Sequence, residues 1–350
     1  MQQHPNRKPT IYDIAQLAGA SPSTVSAALG DAWKARRISQ ATVEMIRRIA
    51  AEQGYSRNMQ ARGLRRARSG LVGMLIPVHD NRFFASMSQS FEVNARQRGL
   101  VPVIASSLRD PAEESRVVET LIAYNVDALF VAGAANTEAI SVLCEQAGMR
   151  HIFIDLPGRS APSVLSDNFG GASKLTNRLF DEMPAPGDGP RGRPYFLGGS
   201  EADYASAERI AAFRAVCRER GAMVGSRQVI ACGYSPRRAT EAVAKLLDDL
   251  GALPPLLFVN SLRAFEGVLG HFVTLPPEAF AETVIGCYDY DPFAAFLQFP
   301  VHMVRQNAHG LITSAFEFLD AGITDPVIAE VAPDLVPPRT IFRGPFAELG

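Results

Sequence analysis

The 350-residue chain is 47% hydrophobic and 20% charged, with a formal net charge of −1. That composition excludes a largely disordered polymer and fits an ordinary globular protein, and the length suggests about two or three domains. No apolar stretch follows the charges of the N-terminus, so no secretory signal is expected. No apolar run approaches the roughly 18 residues that span a membrane. Cys144, Cys217, Cys232 and Cys287 lie far apart without a CxxC pair. They read as buried thiols in a reducing cytoplasm.

In chain order, residues 10–30 read as two short helices joined by a tight turn. Thr10 and Asp13 have capping-box spacing, and Ile11, Ile14, Leu17 and Ala18 recur at helical intervals. Gly19 supplies the positive φ that ends the first helix, Ser21 caps the second, and Pro22 fits its first position. Val25 and Leu29 are expected to pack inward, leaving Pro22, Ser23, Ser26 and Ala27 to face a major groove. A helix pair with short polar residues is equally an ordinary packing unit, and charge discriminates between the two. Residues 1–69 hold 12 Lys and Arg against 4 Asp and Glu, a charge of +8. The other 281 residues hold 23 against 32, a charge of −9. A basic head on an acidic body suits a polyanion-binding module joined to a domain with other work.

Ser39 caps a third helix with Val43, Ile46, Ile49 and Ala50 on its inner stripe, and Gly54 ends it. The basic stretch 55–69 is marginal as a helix, because Gly63 costs about 1 kcal/mol relative to Ala. It reads both as a flexible linker and as a segment that becomes helical on DNA, with Leu64 wedged into a minor groove. From residue 71, short apolar runs alternate with helical stretches. Strands are expected at Leu71–Val78, Val101–Ser106, Asp127–Ala132 and His151–Asp155, with helices at Phe83–Arg98, Pro111–Tyr124 and Thr137–Ala147. The alternation restarts with helices near Gly171–Glu182, Ala207–Arg220 and Pro236–Leu250. Strands are expected there at Tyr195–Leu197, Gln228–Ala231, Leu256–Val259 and Val284–Tyr288. Such alternation predicts an α/β fold with two doubly wound parallel-sheet lobes behind an all-α head, and ligands in the cleft beyond the strands' carboxyl ends.

With these elements in place, the chain resembles the lactose-repressor family of bacterial transcription regulators over nearly all its length. The likeness rests on the Thr10–Gly30 block and on Asn58-x-x-Ala61-x-x-Leu64. It continues through Ser166-Asp167-Asn168, Arg209 with Ala212-Phe213, Asn260-Ser261 and Tyr288-Asp289. A further likeness to the fructose-repressor branch rests on the long Gly30–Ile38 turn, Arg96–Gly99, Val126–Ala128, Asn260–Leu262 and Phe296–Pro300. The resemblance implies a helix-turn-helix domain over 1–55, a hinge over 56–69, and a periplasmic-binding-protein-like effector and dimerisation domain over 70–350. Within the last, it implies one lobe of about 70–165 with 300–330, and another of about 166–298 with 331–344. It also implies a cytoplasmic homodimer on nucleoid DNA, reading a near-palindromic operator as a repressor of carbohydrate or related carbon metabolism.

The matching base-reading positions are Pro22, Ser23 and Ala27, while Ser21, Thr24, Ser26 and Asn58 would position phosphates. Ala27 replaces the larger polar or basic residue usual in the family and has no bidentate reach to guanine, so an unusual operator is expected. Ala61, Arg62, Leu64 and Arg65 complete the hinge. Leu64→Ala is expected to weaken operator binding far more than non-specific binding, and affinity should fall steeply with salt. An operator titration with equal losses for both kinds of DNA would remove the wedge from the mechanism.

For the effector, the resemblance carries over Asp155 from the first lobe, Arg209, Asn260 and Asp289 from the second, and Gln306 where the chain crosses back. Phe83, Phe84 and Phe169 would supply an apolar wall. Carboxylates and amides suit the hydroxyls of a sugar, while Arg209 can fork onto hydroxyls or a phosphate. Ala212 stands where Gly is common in the family. Ser261 stands where a carboxylate is common, which favours a sugar phosphate. Each acid also has an ordinary role as a helix cap or surface ion pair, and each Phe as core. Whether the effector induces or co-represses is not legible.

Two other classes compete: a cytoplasmic doubly wound enzyme and a solute-binding protein of transport, either with an appended helical domain. The GxGxxG at Gly187–Gly192 precedes a strand among prolines, the wrong order for a dinucleotide loop. No GxSxG, HExxH or P-loop is present, and the six histidines show no metal-ligand spacing, so no enzyme activity, cofactor or metal is expected.

Overall fold

Hydroxyl caps open every helix of the N-terminal unit, Met1–Ser69. This computed structural model describes residues 9–30, 32–55, 68–183 and 190–339. In α1 (Ile11–Leu17), Thr10 and Asp13 form the reciprocal capping box, with Thr10 N donating to Asp13 Oδ2 at 2.7 Å. Gly19 turns the chain at φ 59°, and Ser21 Oγ accepts from Thr24 N at 3.1 Å to start α2 (Pro22–Ala28). Ser39 caps α3 (Gln40–Glu52) in the same way. Ile14, Ala15, Val25, Ala28, Val43, Ile46 and Ala50 bury together as the only interior this small unit has. The hinge positions Asn58, Ala61, Arg62, Leu64 and Arg65 lie outside the described residues.

The second unit, Gly70–Gly350, holds two six-stranded sheets. The first joins β1 (Leu71–Ile76), β2 (Val101–Ser106), β3 (Leu129–Ala132), β4 (His151–Ile154), β5 (Ser163–Ser166) and β11 (Ile328–Val331) in the order β11-β5-β4-β3-β1-β2. All its pairings are parallel, and its strands read as unbroken apolar runs because helices cover both faces. Those helices are α4 (Arg82–Gln97), α5 (Pro111–Ala123), α6 (Thr137–Gln146) and α11 (Ala308–Ala321). Phe91, Phe130 and Phe316 meet between helices and sheet with ring centroids 4.6–5.5 Å apart.

The second sheet joins β6 (Tyr195–Leu197), β7 (Val229–Ile230), β8 (Leu256–Val259), β9 (Val284–Tyr288), β10 (Val301–Arg305) and β12 (Asp334–Val336) in the order β12-β10-β9-β8-β6-β7. Only β12 runs antiparallel. Its helices are α7 (Asn168–Glu182), α8 (Tyr204–Glu219), α9 (Pro236–Leu250) and α10 (Leu262–Phe272). Gly267 lets α9 and α10 approach, since a Cβ there would lie 2.1 Å from Pro236 O.

Three expectations change. The lobe boundary near residue 300 is too early: Val301–Arg305 pairs with β9 in register Val301↔Ile285, so it belongs to the second lobe. The chain crosses back at Gln306–Asn307, where Asn307 caps α11. Helices start earlier than expected, because Asn81, Asp167 and Asp203 cap α4, α7 and α8. The four-residue strand β5 was too short for periodicity to reveal. Within the GxGxxG stretch, Pro190–Gly192 forms a single 3₁₀ turn leading towards β6, and residues 184–189 lie outside the described residues.

Candidate functional site

A cavity of about 550 Å³ lies between the two lobes, and its polar wall is made almost entirely of residues that directly follow strands. Arg109 follows β2, Asp155 follows β4, Tyr234 follows β7, Ser261 follows β8, Asp289 follows β9 and Gln306 follows β10. Parallel sheets aim all their carboxyl ends one way, so two facing sheets converge these loops on one cleft. Three of the wall residues hold left-handed backbone without being glycine: Arg109 (φ 61°), Asp155 (φ 62°) and Asp289 (φ 112°). Such strain persists where the surroundings impose it, and here it bends the chain sharply at the strand ends.

Arg209 on α8 is 3% exposed and is the centre of the site. Its Nε donates to Asn168 Oδ1 at 2.8 Å and its Nη1 to Asn260 O at 3.0 Å. Its Cζ lies 3.8 Å from the Tyr288 ring centroid. Tyr288 itself continues an aromatic row through Phe258 and Phe196, so the core of the lobe fixes the plane of the guanidinium. Burial works against the charge of Arg209, yet Tyr288, Asp289, Tyr234 and Asp155 together hold its pKa above the usual value.

The acids facing it are also perturbed. Burial pushes Asp155 up to about 7 despite the nearby Arg209, with Asp203 and Asp289 adding to the rise. Its Oδ1 is fully buried and has no hydrogen-bond partner. Burial raises Asp289 too, opposed by Arg209, by Gln306 and by the Leu262 N–H. Gln306 Nε2 donates to Asp289 Oδ1 at 2.6 Å, which leaves Gln306 Oε1 buried and unpartnered. A relay runs behind this wall. Asn260 Nδ2 donates to Ser206 Oγ (3.1 Å), which meets the Tyr234 hydroxyl (2.9 Å), which donates to Asp203 Oδ2 (2.6 Å). Gly199 makes room for it: a Cβ there would lie 2.4 Å from Ser206 Oγ.

The structure brings Phe83, Phe84, Asp155, Arg209, Asp289 and Gln306 to the cavity wall. Two expected residues are absent from that wall. Asn260 is wholly buried, and its side chain serves the relay while its carbonyl holds Arg209. Phe169 is 43% exposed, because Asn168 turns inward to Arg209 and the next helical residue points about 100° away. Ser261 Oγ accepts from Ala264 N at 3.3 Å, so the hydroxyl that replaces a carboxylate caps α10. Ala212 is fully buried beside Phe213 in the core of the second lobe. Sequence reasoning missed Arg109, Asp203, Tyr234 and Asn168. Their signal was position alone, at strand carboxyl ends or helix N-caps.

On the reading helix α2, Ser21 and Ser23 are exposed, and Pro22, Thr24 and Ser26 are half-buried. Ser21 Oγ lies 2.8 Å from both Ser23 Oγ and Thr24 Oγ1, so the three hydroxyls form one cluster. Ala27 is 5% exposed, which corrects the expectation that its methyl faces a groove. It lies beside Ala28 on the covered side of the helix. Tyr12 on α1 stands 69% exposed and was not anticipated.

Residues 10–58 match the family model described as bacterial regulatory proteins, lacI family, and residues 72–260 match the periplasmic binding protein domain. The sucrose operon repressor of Klebsiella pneumoniae is 34% identical over 265 residues, covering 75% of this chain and 77% of that protein. The chain belongs to the lacI family of bacterial regulators. The ribitol operon repressor of Klebsiella aerogenes is 44% identical over 221 residues, covering 61% of this chain and 82% of the repressor. A lac repressor dimer solved on operator with an anti-inducer shares the fold at TM-score 0.78 and 18% identity, over 96% of this chain and 100% of that one. Membership makes the chain a DNA-binding transcription regulator and sets aside the readings as an enzyme or a transport receptor. Among the described residues, no helix is long and apolar enough to cross a membrane.

Proposed function

We propose that this regulator releases or engages a near-palindromic operator as a cytoplasmic homodimer in response to a neutral, hydroxyl-rich effector held between its lobes. Ser21, Pro22, Ser23, Thr24 and Ser26 on α2 form the DNA-facing set, and a basic hinge around Leu64 follows them. The observation that carries the effector class is the pair of buried, unpartnered acceptors on the cavity side, Asp155 Oδ1 and Gln306 Oε1. A buried acceptor without a donor is costly, and the hydroxyls of a polyol or sugar supply donors.

Charge points the same way. Asp155, Asp203, Asp289 and Glu114 line the cavity against Arg109 and Arg209, and Arg209 already gives two donors to the protein. A dianionic phosphate would enter an acidic cavity, which disfavours the sugar phosphate suggested by the fructose-repressor likeness. The name of the ribitol operon repressor, a relative of this chain, agrees with a neutral pentitol.

Operator DNA selected from a random pool serves as the probe. Ribitol is expected to shift operator affinity by about tenfold, within the usual range of coupling between two sites. Fructose 1-phosphate at equal concentration is expected to leave it unchanged. A response to the phosphate ester and none to any neutral polyol or sugar would refute the effector class.

A further inference from the structure

Arg109 combines three features that no role so far assigned to it explains. It and Leu108 are consecutive left-handed residues, at φ 61° and 53°, and neither is glycine. This unfavourable pair turns the chain between Ser107, which is buried, and Asp110, which caps α5. The turn carries Arg109 out of the first lobe to the cavity wall. There its Cζ lies 4.9 Å from the ring centroid of Tyr234, which belongs to the second lobe.

The ring is a fixed platform. Its hydroxyl donates to Asp203 Oδ2 and meets Ser206 Oγ, the relay that ends on the side chain of Asn260. The carbonyl of Asn260 in turn holds Arg209. Arg109 itself makes no hydrogen bond within the described residues, so its N–H donors are unspent beside the cavity. A guanidinium stacked by its face keeps its N–H edge available in the plane of the stack, which an ammonium cannot do. The unpartnered groups on the rest of the wall, Asp155 Oδ1 and Gln306 Oε1, are acceptors. Arg109 therefore supplies what they lack: donors for the oxygen lone pairs of the same ligand.

We propose that Arg109 is a ligand clamp: its edge donates to a hydroxyl oxygen of the bound effector while its face stays on Tyr234, tying occupancy of the cavity to closure of the lobes. The clamp rests on the polyol reading of the cavity. It makes Arg109 and Tyr234 a functional pair across the cleft. Lobe closure is also supported elsewhere by Arg82 with Asp291 at 2.9 Å, which does not touch the ligand wall formed by Asp155 and Arg209.

Calorimetric titration of the full-length protein with ribitol tests the pair, using Arg109→Ala, Arg109→Lys, Tyr234→Leu, the Arg109→Ala/Tyr234→Leu double variant and Arg209→Ala. Arg109→Ala is expected to weaken ribitol binding about five- to tenfold, and Arg109→Lys nearly as much. In the Tyr234→Leu background the further loss from Arg109→Ala should fall below about twofold, since the platform is already gone. Tyr234→Phe keeps the ring, so there the full loss should return. Wild-type affinity in Arg109→Ala together with lost binding in Arg209→Ala would overturn the clamp and leave the site standing. An undiminished Arg109 effect without the Tyr234 ring would overturn the pairing. If ribitol fails to bind the wild type, the polyol reading fails and the clamp falls with it.

Discussion

Arg209→Ala is expected to abolish the effector response and to destabilise the second lobe. The guanidinium gives charged hydrogen bonds to Asn168 and Asn260, lies face-on to Tyr288, and opposes the buried charges of Asp155 and Asp289. Removing it leaves a carbonyl and an amide oxygen without donors and two buried carboxyls without a cation. Losing one partner of such a buried network costs on the order of 3 kcal/mol. The loss should depend on pH. Without Arg209 the folded-state pKa values of Asp155 and Asp289 rise further, so stability disappears as pH climbs through them. The fall in melting temperature should therefore be larger at pH 8 than at pH 5, where the carboxyls take protons. Ribitol affinity should drop at least about a hundredfold, equivalent to losing one or two hydrogen bonds to a charged group. Arg209→Lys separates the roles: it keeps the charge and most of the stability but loses the planar fork, so binding should still fall about tenfold. An Arg209→Ala variant that binds ribitol as tightly as the wild type would remove Arg209 from the site.

The alternation of apolar runs and helical stretches predicts both lobes because parallel strands buried on two faces leave a strong local pattern. Asp155, Arg209, Asp289 and Gln306 were legible through motifs that place them after strands or on a helix start. Arg109 was not. Nothing in Ser107-Leu108-Arg109-Asp110 signals two successive left-handed residues, and the Tyr234 ring it meets lies on the other lobe, 125 positions along the chain. Asn260 and Phe169 illustrate the opposite error. Both sit beside true wall residues in sequence, but a strand end or a helix start swings neighbours in different directions, and only packing decides which one faces the cleft. The same holds for Ala27, which shares α2 with the exposed Ser23 yet lies on its covered side. Boundaries failed where structure is non-local: β10 looks like a return to the first lobe until its pairing with β9 is known.

Asp155→Asn is expected to stabilise the protein above neutral pH while weakening its response to the effector. The Asp155 carboxyl takes up its proton at about 7 in the folded chain, against an ordinary value of 3.8, because burial penalises its charge more than Arg209 relieves it. The folded state therefore holds a proton that the unfolded state has released. This contribution is fully present below the unfolded value and is lost as pH rises through the folded one. Between pH 5 and pH 8 the loss amounts to something on the order of 2 kcal/mol. Asn removes the titration, so the variant should match the wild type near pH 5 and melt higher at pH 8. The carboxylate is retained, on this reading, because its unpartnered Oδ1 accepts a ligand hydroxyl. Stability given up at a binding wall is a common compromise. Linkage then fixes a second result. A ligand that donates to the carboxylate favours its ionised form, so ribitol affinity should rise from pH 6 to pH 8, and binding near pH 7 should release a fraction of a proton. Calorimetry in buffers of different ionisation enthalpy measures that fraction directly. In Asp155→Asn both the pH slope of affinity and the proton release should vanish, and affinity at pH 8 should fall about tenfold. A wild-type affinity that stays flat across this range, with the same stability slope in both proteins, would show that Asp155 neither titrates near neutrality nor meets the ligand.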